Sequence, residues 1–437
     1  MTNCNLNNVR LNLLSALVFV VVLGHSTLAF AESSLLTVTQ AAEIAVNDNP
    51  GLAQMQARFR AMSEIPSQMG TLPDPVVSFG AMNFPTDSFD RDQEAMTQLQ
   101  VGISQAFPFP GKLELREEAA EFDAQAAFYT ADEMRLTLIA NVRKKWWQIF
   151  YLDRAINTVK SNQVLLKQFI DVAKTKYETG KGLQQDVLLA QLELSKLLDK
   201  NIQLRTFRSH QVILLNTMMN LRANTKVTLP DQANKSLPTV FEERYLYQLA
   251  ELHRPILKQR QQTVAASESR LNLARRDEYP DFNVAVNYGN RSGNNPDPVG
   301  GGRSDFVSVM VGVKVPLYSS RKQSKAISQK SSEREKNHYA MLDEKGRVYA
   351  EISTAVSTYR MASEQMSLFE SGIVPQARQT VQSMLAGYQV SKVDFLNLIR
   401  SQVTLLNYEL QYWKSLSEAK QALAKIQAAV GEEAIYE

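Results

Sequence analysis

The sequence is poor in the residues that most redox and metal chemistry depends on. One cysteine, Cys4, and four histidines are spread through 437 residues. That precludes an internal disulfide and any cysteine-based zinc site. Neither charge is in marked excess, with 48 Lys and Arg against 45 Asp and Glu, so no basic footprint for nucleic acid stands out. Catalytic motifs are missing as well: no H-E-x-x-H, Walker A, G-x-G-x-x-G or G-x-S-x-G occurs, and Gly300-Gly301-Gly302 lacks the Lys-Ser/Thr of a phosphate loop. Neither an enzyme nor a resident cofactor is expected. Beyond residue 31 no apolar run approaches the ~18 residues of a membrane-spanning helix. A β-barrel remains open to such a chain.

What is present begins with an address. Arg10 precedes an apolar stretch of 13 residues, Leu11 to Leu23, and Ala29-Phe30-Ala31 has the A-x-A form of a cleavage site. Residues 1–31 therefore read as a secretory signal, too short for a bilayer anchor. The remainder, in a chain that is 44% hydrophobic and 21% charged, has the composition of a folded protein. Length alone suggests two or three globular domains.

The order of landmarks changes that expectation. Pro73-Asp74 recurs as Pro280-Asp281, Gly102 with Pro108-Phe109 as Gly312 with Pro316-Leu317, Tyr177 as Tyr388, and Gln191 as Gln402. Asp186-Val187-Leu188-Leu189-Ala190-Gln191 aligns with Asn397-Leu398-Ile399-Arg400-Ser401-Gln402. Four matches in one order at offsets of 207 to 211 residues indicate an internal duplication. The expected units are residues 32–235 and 236–437.

Each copy carries the same elements. A helix is expected over Leu52–Met69, and its counterpart over Ile256–Arg276. Strands are expected at Val76–Phe84 and Leu99–Phe107, then at Phe282–Asn290 and Phe306–Val315, where Phe282, Val284, Val286 and Tyr288 alternate with polar or small residues. Long helices follow from Lys112 to about Thr179 and from Arg321 to about Gly387, the second carrying Gly372 and Pro375 as sources of a kink. Turns at Gly180-Lys181-Gly182 and Val390-Ser391-Lys392 lead into return helices over Leu183–Leu221 and Phe395–Val430. A helix of this length reaches about 100 Å, which suits a bundle or tube rather than a compact globule. Four strands of membrane length cannot close a barrel, and open edges are not tolerated in lipid. Three chains would supply twelve strands. A small soluble sheet capping a coiled coil has the same alternation.

In this order of signal peptide, Leu36-Thr37 start, Pro-Asp strand pair, long helix, Tyr-x-x-Gly turn and D-[VL]-[LI]-x-[AS]-Q return helix, written twice, the sequence resembles the TolC-like outer-membrane efflux channels. The resemblance implies a mainly α protein with a small β part. Long antiparallel helical hairpins would form a trimeric α-barrel in the periplasm, continued by a 12-stranded transmembrane β-barrel with four strands per chain. It implies a homotrimer embedded in outer-membrane lipid, with a periplasmic adaptor (membrane fusion protein) and an inner-membrane transporter as partners, and passive conduction without chemistry. It places the periplasmic entrance at the hairpin tips, with Asp186 lining it and Tyr388 contacting Asp186 across neighbouring hairpins. The second copy departs from the acidic pattern: Asn397 stands where Asp186 does, Arg400 lies a turn on, and Asp394 is close by. An acidic residue at a helix start is stabilising in itself, so capping and gating both stay open for Asp186. The adaptor would grip the tips around Tyr177, Gly180, Lys181 and Lys392.

Other features have plainer readings. Lys144-Lys145-Trp146-Trp147 is like an interfacial anchor but lies mid-helix, where tryptophans pack between helices. Met55, Met62 and Met69 recur every seven residues. Thioethers bind soft Cu(I) or Ag(I), though a stripe at helical spacing usually fills a core. The link Phe107-Pro108-Phe109-Pro110-Gly111-Lys112 looks like that of the heavy-metal resistance branch, which favours metal cations as cargo over drugs or secreted proteins. A periplasmic coiled-coil adaptor is the rival from another class.

Overall fold

The computed structural model describes residues 35–436; the signal segment lies outside the described residues. Helix α1 (Val38–Asp48) starts in a capping box: Gln40 N donates to Thr37 Oγ1 at 3.2 Å, and Thr37 N to Gln40 Oε1 at 3.0 Å. Asn49 then caps α2 (Pro50–Ser63), with Pro50 preset for the first helical position. The single helix expected over Leu52–Met69 is broken at Glu64, and α3 (Ile65–Gly70) resumes. Pro66 is the cause, because it has no N–H to donate and its ring collides with the carbonyl four residues back.

Strands β1 (Val76–Met82) and β2 (Gln98–Phe107) follow. β1 stops two residues short of the expected Phe84, since Asn83 takes φ +56° and its Nδ2 donates to Met96 O at 3.2 Å. Helix α4 (Lys112–Glu178) then runs unbroken for 67 residues, about 100 Å. Helix α5 (Gln184–Met218) returns along it. Asn49 Nδ2 donates to Met218 O at 2.9 Å, so α5 ends where α2 begins. The shorter helices thus stack end to end beside the long one.

The second half repeats the plan: α6 (Glu243–His253), α7 (Pro255–Arg276), β3 (Asp281–Arg291), β4 (Phe306–Lys314), α8 (Gln323–Leu368), α9 (Val374–Gln389) and α10 (Phe395–Val430). The kink expected at Gly372 and Pro375 is a π-turn, Phe369–Ile373, joining α8 to α9. Helices α1 and α6, short and amphipathic, are additional to the expected pre-strand helices and precede them.

The four strands form one antiparallel sheet in the order β1-β2-β3-β4. Its central pairing, Gln98↔Arg291 to Phe107↔Phe282, joins the two repeats. β1 and β4 are free edges, and the side chains of both are exposed on both faces. Among the helices, α4 lies between α5 and α10, and α10 packs on α8 and α9. Near the sheet, α7 lies between α4 and α8. One flank of the chain is therefore α1–α3, α5 and β1, and the other is α8, α9 and β4. Trp146, 1% exposed, anchors the middle: its ring stacks on Phe150 at 5.6 Å and its Nε1–H donates to Leu36 O at 2.8 Å. The tryptophan pair packs between helices, as its mid-helix place indicated. Met55 and Met62 are half-buried and Met69 is exposed, so the Met stripe is not a core seam. Among the described residues no helix is long and apolar enough to cross a membrane.

Candidate functional site

The two helical turns at the end remote from the sheet are built alike. Gly180 adopts φ +73° and Ser391 φ +59°. Gly180 N donates to Tyr177 O and Ser391 N to Tyr388 O, both at 3.0 Å. Lys181 N reaches Lys176 O at 2.8 Å and Lys392 N reaches Gly387 O at 2.9 Å. This is the paired bonding of a helix ended by a left-handed residue. Glycine takes that conformation freely, whereas Ser391 needs outside support.

Lys176 supplies it. Its ammonium donates to Tyr388 O at 2.5 Å and Ser391 Oγ at 3.0 Å, and lies 4.5 Å from the Tyr388 ring centroid. The Tyr388 ring is 5% exposed and packs 5.0 Å from Phe395. Its hydroxyl donates to Asp186 Oδ2 at 3.3 Å. Burial, with Asp186 beside it, pushes the Tyr388 phenol up to about 12, so it remains a donor at physiological pH. Asp186 is half-buried in the first turn of α5. Burial raises its carboxyl above the ordinary range and Asp394 adds to that, against the opposing Tyr388 hydrogen bond and Lys176 charge. The helix dipole also favours an acid here, yet the carboxylate is turned to Tyr388.

The structure thus joins Asp186 and Tyr388 across neighbouring hairpins of one chain, with Asp394 close enough to be felt. Asp394 holds the N-cap position of α10 without a side-chain cap bond. Asn397 and Arg400 stand exposed on α10. Tyr177, the counterpart of Tyr388, is 46% exposed, and Gly180, Lys181 and Lys392 lie exposed on the two turns. Lys176 was missed by sequence reasoning; the available signal was a basic residue in the last turn of a helix, directly before the Tyr-x-x-Gly turn. No group of three or more His, Cys, Asp or Glu that could hold a metal ion occurs among the described residues.

Comparison with known proteins accords with this architecture. The model of the outer membrane efflux protein family matches the chain twice, over residues 42–221 and 246–432. No curated protein matches the sequence significantly. Among solved structures, the outer-membrane channel OprN superposes with a TM-score of 0.76 at 17% identity, covering 90% of this chain and 89% of that one. The channel CusC gives 0.76 at 12% identity, covering 90% and 92%. VceC of Vibrio cholerae gives 0.75 at 16% identity, covering 90% and 96%. The chain belongs to the outer membrane efflux protein family: a duplicated, TolC-like outer-membrane channel with a periplasmic helical part, and a transport duct rather than an enzyme.

Proposed function

We propose that three copies of this chain close into one duct that conducts metal cations outward from a periplasmic adaptor and an inner-membrane pump. The observation that carries this is the pair of unpaired flanks. β1 and β4 are open edges of one sheet, and a solitary four-stranded sheet in lipid would leave both rows of backbone groups unsatisfied. Along the tube, α5 exposes Leu188, Leu192, Leu198 and Ile202 on one flank, while α8 exposes Tyr339, Leu342, Met361 and Leu368 on the other. Repeated head to tail, such an interface closes a ring, and three chains give twelve strands, an even number suited to an outer-membrane barrel.

At the tips, the Tyr388–Asp186 hydrogen bond ties the two hairpins of each protomer and narrows the entrance. Asp394 gives the mouth a second carboxylate, while Asn397 and Arg400 replace what would be a simple acidic ring. Tyr177, Gly180, Lys181 and Lys392, exposed at the turns, are the surface for the adaptor. Metal cations are favoured as cargo by the Phe107–Lys112 link and by the carboxylates at the mouth; drug efflux and type I protein secretion are the other duties of such a duct. The test is a deletion strain challenged with copper, silver, zinc and cobalt salts beside a drug panel. Sensitivity to metal salts alone is expected, whereas sensitivity to drugs alone sinks the assignment of cargo.

A further inference from the structure

The chain carries its own template for the contact between protomers. Where β2 passes into α4 and meets β3, five residues lock together. Phe109 stacks on Tyr279 with ring centroids 4.6 Å apart, and Phe109 N donates to Asp281 Oδ1 at 3.0 Å. Lys112, 2% exposed, bonds Asp281 Oδ1 at 2.8 Å and Tyr279 O at 3.0 Å, with Asp277 at 3.3 Å. This clasp joins repeat one to repeat two at the junction of barrel and tube.

The duplication supplies the same parts a second time, on opposite edges of the chain. Leu72-Pro73-Asp74, leading into β1, corresponds to Tyr279-Pro280-Asp281. Pro316-Leu317, at the end of β4, corresponds to Pro108-Phe109, and Lys322, directly before α8 and two residues beyond the strict counterpart of Lys112, supplies a cation at the same strand-to-helix passage. In the isolated chain these halves lie uncovered: Leu317 is 80% and Leu72 42% exposed, and Asp74 and Lys322 are exposed. Apolar matches apolar and acid matches base across the gap.

We infer that a second copy of this chain completes the clasp, Leu72 and Asp74 of one protomer engaging Leu317 and Lys322 of the next. A trimer of duplicated chains is then nearly six-fold at this level, with the same lock at every junction, alternately within and between chains. Ring closure is thereby set at the rim of the barrel, where the strand ladder stops and the helices begin. The inference rests on the trimeric reading above.

Beyond the signal segment the sequence has no cysteine, so an introduced pair is unambiguous. Leu72→Cys with Leu317→Cys, in outer membranes treated with a short bifunctional thiol reagent, should give covalent dimers and trimers on a non-reducing gel. Either single variant should give at most dimers of low yield. In parallel, Asp74→Lys should lower the temperature at which the trimer dissociates in detergent, and Lys322→Asp in the same chain should restore it. Glutaraldehyde serves as the independent measure of assembly. Trimers with glutaraldehyde but no thiol ladder overturn the clasp and leave the trimer standing. Absence of trimers with both reagents overturns the trimeric reading and the clasp with it.

Discussion

Tyr388→Phe removes one oxygen from the tip and leaves the ring in place. The ring keeps its packing on Phe395 and its contact with Lys176; only the hydroxyl that donates to Asp186 at 3.3 Å is lost. A well-formed hydrogen bond to a charged group is worth about 1.5–3 kcal/mol. At this length, and with Asp186 only half-buried, about 0.5–1 kcal/mol per protomer is the reasonable share. In the proposed trimer, three such latches acting together would give about 1.5–3 kcal/mol, which is roughly a tenfold to hundredfold shift of a closed–open equilibrium. Single-channel recording of the purified protein in planar bilayers reads this directly. Tyr388→Phe should spend markedly more time in high-conductance states, Asp186→Ala should do the same, and Asp186→Asn, which still accepts a hydrogen bond, should stay near wild type. Should Tyr388→Phe and Asp186→Ala both conduct like wild type, the latch is not what holds the entrance.

Because burial holds the Asp186 carboxyl above its ordinary value, the tied tip binds more protons than a loosened one. Acidification through the interval between the ordinary and the raised value should therefore favour the tied tip and lower conductance, and Asp186→Asn should abolish that dependence. Lys176→Met withdraws support from Ser391 and Tyr388 and should raise conductance without altering heat stability of the assembly. Trp146→Ala removes the largest fully buried side chain among the described residues and breaks the Nε1–H bond to Leu36, a loss of about 3–5 kcal/mol readable as a lower dissociation temperature on denaturing gels. Arg254→Met strips the buried cation from the half-buried Glu133 and Glu351 at the base of α7; leaving half-buried carboxylates without their partner costs about 1–3 kcal/mol, and the same heat assay should show it.

Much of this architecture was legible because its signals are periodic or repeated. The α4 seam through Val142, Trp146, Ile149, Leu152, Ile156 and Val159 is buried as its spacing of three and four requires. The strand alternation and the Pro-Asp and Tyr-x-x-Gly landmarks located the sheet and the tips. Local breaks were less legible, since they depend on one residue acting against a good pattern. Pro66 splits a helix that composition reads as continuous, and the left-handed Asn83 trims β1. The tip divides along the same line. Asp186 and Tyr388 stood out by their place in the repeat, but Lys176 acts through a contact between hairpins some 212 residues apart in sequence, which no local pattern encodes. Tyr177 and Tyr388 occupy equivalent positions, yet only the second has Phe395 to pack on and is buried. Equivalence under duplication fixes the backbone; the burial of a side chain depends on its neighbours.

The central claim is that the two free flanks of this chain close on copies of itself. Native mass spectrometry of the protein extracted from outer membranes measures that most directly. A single species at three times the mass of the signal-cleaved chain is the outcome the open β1 and β4 edges require. A monomer in the soluble periplasmic fraction would contradict it.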